Sequence, residues 1–479
     1  MKLAEAVRID PFVLAVSDTG FPRVLPTGER LEQVETEELP TDWKGFSSVR
    51  RLYLGRIRAS TVTSEQQEAL TKWLTRGGEL VVLTGENFYL QDTPWLREIL
   101  PLKIDEIRLV EALGAHVAIG EPQGEVLYEQ AGVPLLVRRF LGHGSVFASA
   151  VDLLEPGAVQ GPLWAKLTPD STELLPPSLL GLELFRQMEL HFPSKPFVGT
   201  LLALYAAGFG LLSLWILRRP RWLIEQETGG WRVFFFIAGW IGLFTGLTLG
   251  YLQKPEFTSR AQSLEIGFIR GSDQTPWAWV QSWYGLFPKR GVSLELPIES
   301  DALVQPQDET SLKLDAQPDH LQIGFSPAPL VAWKPQYLYA EELIPLPVQL
   351  QVDESSKDVR SPVVRVYNTS QWTLKDAVVL QRGIYYSLGD LPPGKAREVA
   401  LNEVGANSWS SAVDRASPGF AGRARQQLYS TAEVELQRNA SNCILLAWVM
   451  EGSLATQPDE NRWNLKLLFI ESVKRGMRT

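Results

Sequence analysis

Residues 64–85 read SEQQEALTKWLTRGGELVVLTG, and they predict a helix followed by a buried strand. Thr63 or Ser64 can cap a helix there, because each is followed three residues later by a glutamine. The apolar residues of the predicted helix share one face, and a Gly-Gly pair ends it. Residues 80–83 are then all apolar, which is typical of a parallel strand buried on both faces.

Three further segments have the composition of buried strands. They read FVLAV at 12–16, RLYLGR at 51–56 and SVFASAV at 145–151. A strand, a helix and a second strand within about 35 residues form a βαβ unit. The pattern therefore predicts an α/β domain with a largely parallel sheet.

Four successive segments together resemble the class I glutamine amidotransferase-like domain, which is flavodoxin-like. They are VLAVSD, ELPTDWKGFSSVRRLYLGRI, SEQQEALTKWLTRGGELVVLTG and GHGSVFASAVDLLEP. The resemblance covers roughly residues 10–155. It is strongest to bacterial membrane proteins in which this domain precedes transmembrane helices, and it implies the same order here.

The turn after residues 80–83 tests whether the chemistry is kept. Active amidotransferases carry a cysteine at this turn, and its thiolate attacks the glutamine carboxamide. Here the turn reads Thr84-Gly85-Glu86-Asn87, and the single cysteine, Cys443, is far away in sequence. Thr84 has no base assigned to it by any motif. We therefore predict an amidotransferase-like fold without catalytic residues.

Strand tips of doubly wound sheets bind ligands even when no catalysis follows. The residues predicted to line such a pocket follow the strands at 12–16 and 80–83; they are Ser17, Asp18, Thr84, Glu86 and Asn87. The alternative is that these polar residues only cap turns.

Two uncharged segments, 197–217 and 233–252, are each about 20 residues long. At about 1.5 Å per residue, such a helix crosses a hydrocarbon core of about 30 Å. The alternative is a pair of buried core helices. The linker between them is rich in arginine, which predicts a cytoplasmic loop; its arginines are Arg218, Arg219, Arg221 and Arg232.

A hairpin of this kind places both soluble regions on the non-cytoplasmic side of a cell membrane. The N-terminal sequence MKLAEAVRIDPFVLAVSD has no signal-peptide pattern. Either an export segment lies upstream of this start, which we favour, or the topology is inverted.

The sequence after the hairpin alternates β-like runs with turns, in a period of two. It predicts β-sandwich modules joined near the polar stretch around residue 355. The complete predicted division is an amidotransferase-like domain with a linker helix at 1–195, a transmembrane hairpin at 196–255, a β-rich module at 256–355 and a β-sandwich module at 356–479.

Composition excludes several classes of protein. The net charge is −9, so the chain lacks the clustered cations that nucleic-acid binding needs. The four histidines have no metal-ligand spacing, and the acidic loops lack a calcium pattern. We predict neither a metal nor a cofactor. The sixteen tryptophans favour core packing and membrane anchoring over sugar stacking.

We therefore expect a non-catalytic, membrane-anchored binding or scaffold protein outside the cytoplasm, which contacts the bilayer and envelope or membrane proteins and binds a small ligand or a glycan. One alternative is a subunit of a membrane transport or envelope-maintenance complex. A further alternative is a hydrolase that uses the cysteine-free pocket, with Glu86 as its leading residue.

Overall fold

The computed structural model describes most of the chain, with gaps. The described residues are 12–17, 25, 31–57, 61–85, 93–153, 160–167, 195–218, 229–252, 262–287, 294–296, 298, 302–306, 312–317, 320–325, 336–353, 362–401, 425–426, 428–432, 443–450 and 462–472.

The predicted helix of the opening stretch is confirmed as α1 (Ser64–Arg76). Thr63 is its N-cap: the Thr63 hydroxyl accepts from the Gln66 main-chain N–H at 3.3 Å, and the Gln66 side chain accepts from the Thr63 N–H at 3.0 Å. Gly77 ends the helix at φ +132°, in the left-handed region that favours glycine.

The α/β domain contains nine strands and two further short helices. They are β1 (Phe12–Val16), β2 (Leu31–Val34), β3 (Val49–Leu54), β4 (Glu79–Leu83), β5 (Leu102–Val110), β6 (Ala115–Pro122), β7 (Glu125–Gln130), β8 (Val133–Leu141), β9 (Gly144–Ser149), α2 (Pro94–Ile99) and α3 (Gln160–Lys166).

Seven of these strands form one mixed sheet in the order β2-β1-β3-β4-β9-β8-β7. The first five are mutually parallel. If β9 is counted as the fifth parallel strand, the order is 2-1-3-4-5, which is the flavodoxin-like order. The predicted α/β fold is therefore confirmed at this level.

The antiparallel strands β5–β8 were not predicted. They lie between β4 and β9 in the chain: β5 and β6 pair with each other, while β7 and β8 extend the main sheet beyond β9. Alternating polar and apolar residues along β5 leave much of it exposed. This segment therefore lacked the continuous apolar run that marks β4.

A buried ion pair lies inside the parallel sheet. The Arg51 guanidinium donates to the Glu79 carboxylate at 2.6 and 2.8 Å, across the β3–β4 pairing. Burial of Arg51 disfavours its charge, but Glu79 and Tyr53 together outweigh that effect and raise the pKa of Arg51. Arg51 therefore stays charged in the core.

The two predicted spans correspond to two helices of 24 residues, α4 (Lys195–Arg218) and α5 (Gly229–Leu252). Taking the described residues alone, no helix combines the length and the apolar character that crossing a membrane requires. Those residues thus do not confirm a membrane crossing at 197–217 and 233–252, and it stays a prediction.

The two long helices pack through aromatic rings. Tyr205 of α4 meets Phe244 of α5 edge to face, with ring centroids 5.3 Å apart. The Trp240 ring lies 5.0 Å from that of Phe244 and covers Gly208, where a Cβ would overlap the indole. The absence of a side chain at Gly208 of α4 therefore leaves the space that the Trp240 ring of α5 occupies.

The remaining strands lie after the hairpin. They are β10 (Gln262–Ser272), β11 (Trp277–Phe287), β12 (Leu294–Leu296), β13 (Leu303–Pro306), β14 (Leu312–Gln317), β15 (His320–Phe325), β16 (Gln336–Pro345), β17 (Val348–Asp353), β18 (Val363–Asn368), β19 (Leu374–Gln381), β20 (Ile384–Leu391), β21 (Ala396–Ala400), β22 (Cys443–Met450) and β23 (Arg462–Ser472).

Eight of them form one sheet in the order β13-β16-β11-β10-β23-β22-β19-β20. Neighbours are antiparallel except β10 and β23, which run parallel. The ranges predicted as separate modules, 256–355 and 356–479, both contribute strands to this sheet. The predicted antiparallel β region is confirmed.

A second sheet, β17-β18-β21, shares a core with one face of the eight-stranded sheet. Val348, Val364 and Val399 of the smaller sheet belong to the same buried cluster as Ile269 and Val379 of the larger one. A third sheet has the order β12-β15-β14.

Candidate functional site

The strand order of the α/β domain points to one edge of its sheet. In the 2-1-3-4-5 order the connections reverse direction between β1 and β3, and ligands of such folds bind beside the carboxyl ends of these strands. The residues that follow β1, β3, β4 and β9 therefore form the candidate site.

Two of the predicted pocket residues lie at this edge. Ser17 follows β1, is buried, and accepts from the Gln33 side-chain amide at 3.2 Å through its carbonyl. Thr84 follows β4 and is also buried; its hydroxyl donates to the Ser149 carbonyl at 2.6 Å. The Thr84 side chain is therefore tied into the sheet at the position where an amidotransferase would carry its nucleophile.

An ion pair at the same edge of the sheet was not predicted from the sequence. Arg56, just after β3, contacts the Asp152 carboxylate at 2.5 Å, and the Asp152 side chain is only 5% exposed. Arg56 has φ +52°, which is uncommon for a residue other than glycine. Gly85 lies beneath the pair at φ +114°, where a Cβ would come within 3.0 Å of the Asp152 main-chain nitrogen.

A signal for this pair was present in the sequence. Asp152 directly follows the predicted strand 145–151, much as Ser17 follows 12–16 and Thr84 follows 80–83. Carboxyl ends of parallel strands meet at one edge, so Asp152 belonged with the pocket residues. The other three predicted members, Asp18, Glu86 and Asn87, lie outside the described residues. The hypothesis of a hydrolase based on Glu86 stays a prediction.

Of the four arginines predicted to fix the topology, one side chain is described. Arg218 is exposed at the last residue of α4. Arg219 and Arg221 lie outside the described residues, as does the side chain of Arg232 in α5. Within the described part of the chain, no group of three or more His, Cys, Asp or Glu residues could hold a metal ion.

The α/β domain contacts the eight-stranded sheet at a surface that we call the junction. It consists of Trp43, Arg76 and His143 from the α/β domain and Trp279, Glu341 and Leu343 from the sheet. Trp43, Trp279 and Leu343 form a buried cluster. The Arg76 guanidinium pairs with the Glu341 carboxylate, and the His143 ring lies 5.8 Å from that of Trp279.

A polar cluster lies on the opposite face of the same sheet. The Glu265 carboxylate oxygen Oε1 accepts from Ser282 at 2.8 Å, from Tyr284 at 2.8 Å and from Lys466 at 2.6 Å. Burial first, and then Glu265 and Glu342, raise the pKa of the Tyr284 hydroxyl well above its usual value.

Lys466 in this cluster responds to the same surroundings. Its burial lowers the pKa, but Glu265 and Glu342 more than compensate and raise it overall. Lys466 is therefore charged and Tyr284 neutral near neutral pH. A charged lysine cannot act as a base, so the cluster in this state stabilises the sheet rather than activating a nucleophile.

No family model matches the chain, and no curated protein matches it. Among solved structures, it is similar to the cytoplasmic protein STM3548 from Salmonella typhimurium at 12% identity and TM-score 0.27, over 32% of this chain and 96% of that one.

It is also similar to the yeast delta-COP-I mu-homology domain at 7% identity and TM-score 0.22, over 45% of this chain and 95% of that one. A β-galactosidase from Bacillus circulans sp. alkalophilus is similar at 10% identity and TM-score 0.22, over 69% of this chain and 41% of that one. Likenesses this remote carry no argument about activity.

Proposed function

We propose that this chain is a non-catalytic binding or scaffold protein, anchored in a cell membrane by the α4–α5 hairpin, with both of its large regions outside the cytoplasm. Its α/β domain is a member of the amidotransferase-like family without that family's chemistry. The observation that carries the proposal is the state of Thr84, whose buried hydroxyl is engaged by the Ser149 carbonyl.

The engaged hydroxyl argues against nucleophilic use of this position. A nucleophilic hydroxyl needs a neighbouring base to take its proton, and it must be reachable by substrate. The Thr84 proton is instead donated to a main-chain carbonyl, which cannot accept it permanently. The junction supports a scaffold role, because it joins the α/β domain and the β region through a buried apolar cluster and an ion pair.

The membrane anchor is supported by the surface of the hairpin. The described residues alone contain no spanning helix; the support comes from the full sequence of the two helices, uncharged over 197–217 and 233–252. Large apolar side chains on both helices are also exposed; they are Leu202, Leu204, Leu211, Leu214, Trp231, Phe234, Phe235, Ile241, Leu243 and Leu247. Exposed apolar surface of this extent marks contact with lipid or protein.

A cysteine-accessibility experiment tests the anchor and its orientation. The native Cys443 is buried, so introduced cysteines dominate labelling by a membrane-impermeant maleimide. Exposed probe sites are Glu106 in the α/β domain, Arg218 at the end of α4 and Thr369 in the β region. In intact cells with a permeable outer envelope, Glu106→Cys and Thr369→Cys should react.

Arg218→Cys should react only after the membrane is permeabilised. Reaction of Arg218→Cys in intact cells, with protection of the other two, indicates the inverted topology. If a carbonate wash releases the protein from membranes without detergent, the proposal that the hairpin anchors it in the bilayer is wrong.

The non-catalytic assignment has its own test. Ammonia release from glutamine by the purified full chain should equal that of a Thr84→Ala variant and of the buffer blank. Release by the wild-type protein that the Thr84→Ala change abolishes would refute the assignment.

A second candidate function, a subunit of a membrane complex, is favoured by the glycines of α5. Among the described residues beyond their own helical turn, no atom lies within 4 Å of a Cβ placed on Gly239, Gly242 or Gly246. At about 100° per residue they lie on the side of α5 away from Trp240 and Phe244, which face α4. Small residues in this spacing allow a further helix to approach closely.

Cross-linking distinguishes this candidate from a self-contained anchor. A cysteine at Gly242 should form a cross-link to another membrane protein in native membranes, whereas a cysteine at Leu204 serves as a lipid-facing control. Equal and low cross-linking at both sites contradicts a partner on the glycine face.

A further inference from the structure

The junction contains charged groups and indole N–H groups, and the two kinds differ in whether they have a hydrogen-bond partner among the described residues. Its charged groups are paired: Arg76 donates to Glu341, and the Tyr339 hydroxyl donates to the other Glu341 oxygen at 2.6 Å. Gln281 completes the chain by donating to the Tyr339 oxygen at 2.7 Å. The ionised groups at this surface are therefore satisfied with the domains in contact.

In the described part of the chain, the indole N–H groups of Trp43 and Trp279 are not paired. Both side chains are at most 2% exposed, and neither Nε1 has a hydrogen-bond acceptor among the described residues. Trp73, in the same α/β domain and equally buried, provides the contrast: its Nε1 donates to the Val49 carbonyl at 3.0 Å. The fold can therefore supply an indole acceptor, and it does so away from the junction.

An unpaired buried N–H works against the closed junction. Relative to water, each such group shifts an equilibrium toward the exposed state by roughly five- to 150-fold. Burial of two large aromatic rings and one leucine acts in the opposite direction. The two contributions oppose each other, and separation of the surfaces returns both indoles to water.

We propose that the junction is a two-state contact, in which the α/β domain separates from the eight-stranded sheet without unfolding of either. Interfaces between domains of one chain are small and partly polar, and relative motion is their default behaviour. The α/β domain precedes the hairpin in the chain and the sheet follows it, so separation changes how the two regions are presented to a partner. This inference does not depend on whether the hairpin lies in a membrane.

Thiol labelling of the full chain measures the opening directly. Leu343 is 3% exposed within the junction, and Cys443 is 1% exposed within the core of the β region. In a Leu343→Cys variant, both thiols report from the same molecule: the new one on junction opening and the native one on unfolding of the sheet. Residue 343 should react at least tenfold faster than Cys443.

Two tryptophan substitutions then test the cause. On the Leu343→Cys background, Trp43→Phe and Trp279→Phe each remove an unpaired donor and keep an aromatic ring, so each should slow labelling of residue 343 by roughly five- to 150-fold. Trp73→Phe is the matched control; it removes a donor that is paired with the Val49 carbonyl and should not slow labelling.

Two results would overturn the proposal. Equal rates at residue 343 and Cys443 mean that the junction opens only when the sheet unfolds. Faster labelling in Trp43→Phe or Trp279→Phe means that the indoles, through their packing or a buried acceptor, hold the junction closed. If Leu343→Cys does not fold, Leu303→Cys replaces it, since Leu303 packs against the same cluster.

Discussion

We expect replacement of the Asn368 side chain to lower the stability of the β region strongly. It is fully buried at the end of β18, and its amide nitrogen donates to the carbonyls of Trp372 at 2.7 Å and Leu391 at 2.9 Å. Its side-chain oxygen accepts from the main-chain N–H of Ser370 at 3.0 Å and from the Ser370 hydroxyl at 2.7 Å. One amide therefore uses all of its hydrogen-bonding groups to hold the turn between β18 and β19.

The Asn368→Asp substitution keeps the shape, replaces the NH₂ donors with an oxygen and introduces an ionisable carboxyl group. It keeps the oxygen that Ser370 contacts and places a second oxygen against the carbonyls of Trp372 and Leu391. At about 1–3 kcal/mol for each buried polar group that loses its partner, we expect a loss of about 2–6 kcal/mol in the free energy of local opening. Even the lower bound corresponds to about a 30-fold loss of protection against hydrogen exchange.

Hydrogen exchange followed by mass spectrometry provides the assay, because it reports on this region separately in a chain of several domains. Peptides covering β18 and β19 should lose protection in Asn368→Asp, while peptides from α1 should not change. Thr369→Ala is the matched control. Thr369 is adjacent and exposed, and its hydroxyl donates one surface hydrogen bond to the Leu346 carbonyl at 3.1 Å, so its replacement should cost no more than about 1 kcal/mol. Equal protection in the two variants would show that the Asn368 amide does not hold this turn.

Two further predictions concern the hairpin and the polar cluster. Gly208→Leu places a side chain where the Trp240 ring lies, so it should lower the temperature at which the α4–α5 contact melts in detergent. Gly210→Leu should leave that temperature unchanged, because no atom of the other described elements lies within 4 Å of a Cβ at this position. Because burial and neighbouring carboxylates raise the pKa of Tyr284, the unfolded chain loses this proton at a lower pH than the folded chain. The stability from Tyr284 is thus complete below about pH 10 and falls as the pH rises further. Urea titrations between pH 9 and 11 should show a shallower decline for Tyr284→Phe; an identical decline contradicts the assignment.

The features that the sequence predicted are those whose causes lie within a few residues. The N-cap at Thr63, the helix stop at Gly77 and the buried strand β4 follow from neighbours along the chain. Four strands of the flavodoxin-like core, β1, β3, β4 and β9, were predictable for the same reason, whereas β2 reads LEQV and was not predicted. The strands β5 and β7 are largely exposed, and nothing local distinguished them from loops, whereas β8 carries a buried apolar run at Leu135–Val137 that the prediction missed.

The pairing of the eight-stranded sheet has causes that lie far apart in sequence. Gly267 of β10 lies beside Lys466 of β23, almost 200 residues away. Only the assembled sheet shows that Lys466 reaches Glu265. The candidate site also combines local and distant causes. Ser17 and Thr84 follow strands that the local sequence predicted, whereas the Arg56–Asp152 pair joins residues that are 96 positions apart.

The tryptophans show why burial alone does not assign a role. The high tryptophan content predicted core packing, and Trp43, Trp73 and Trp279 are indeed all buried. Their indole nitrogens differ, because only Trp73 has an acceptor among the described residues. Buried area stabilises all three, but the hydrogen-bond state opposes burial for two of them. Trp43 and Trp279 belong to the same buried cluster at the junction. Tryptophan therefore stabilises the interior of the α/β domain at Trp73, whereas at the junction its unpaired N–H weakens the contact with the sheet.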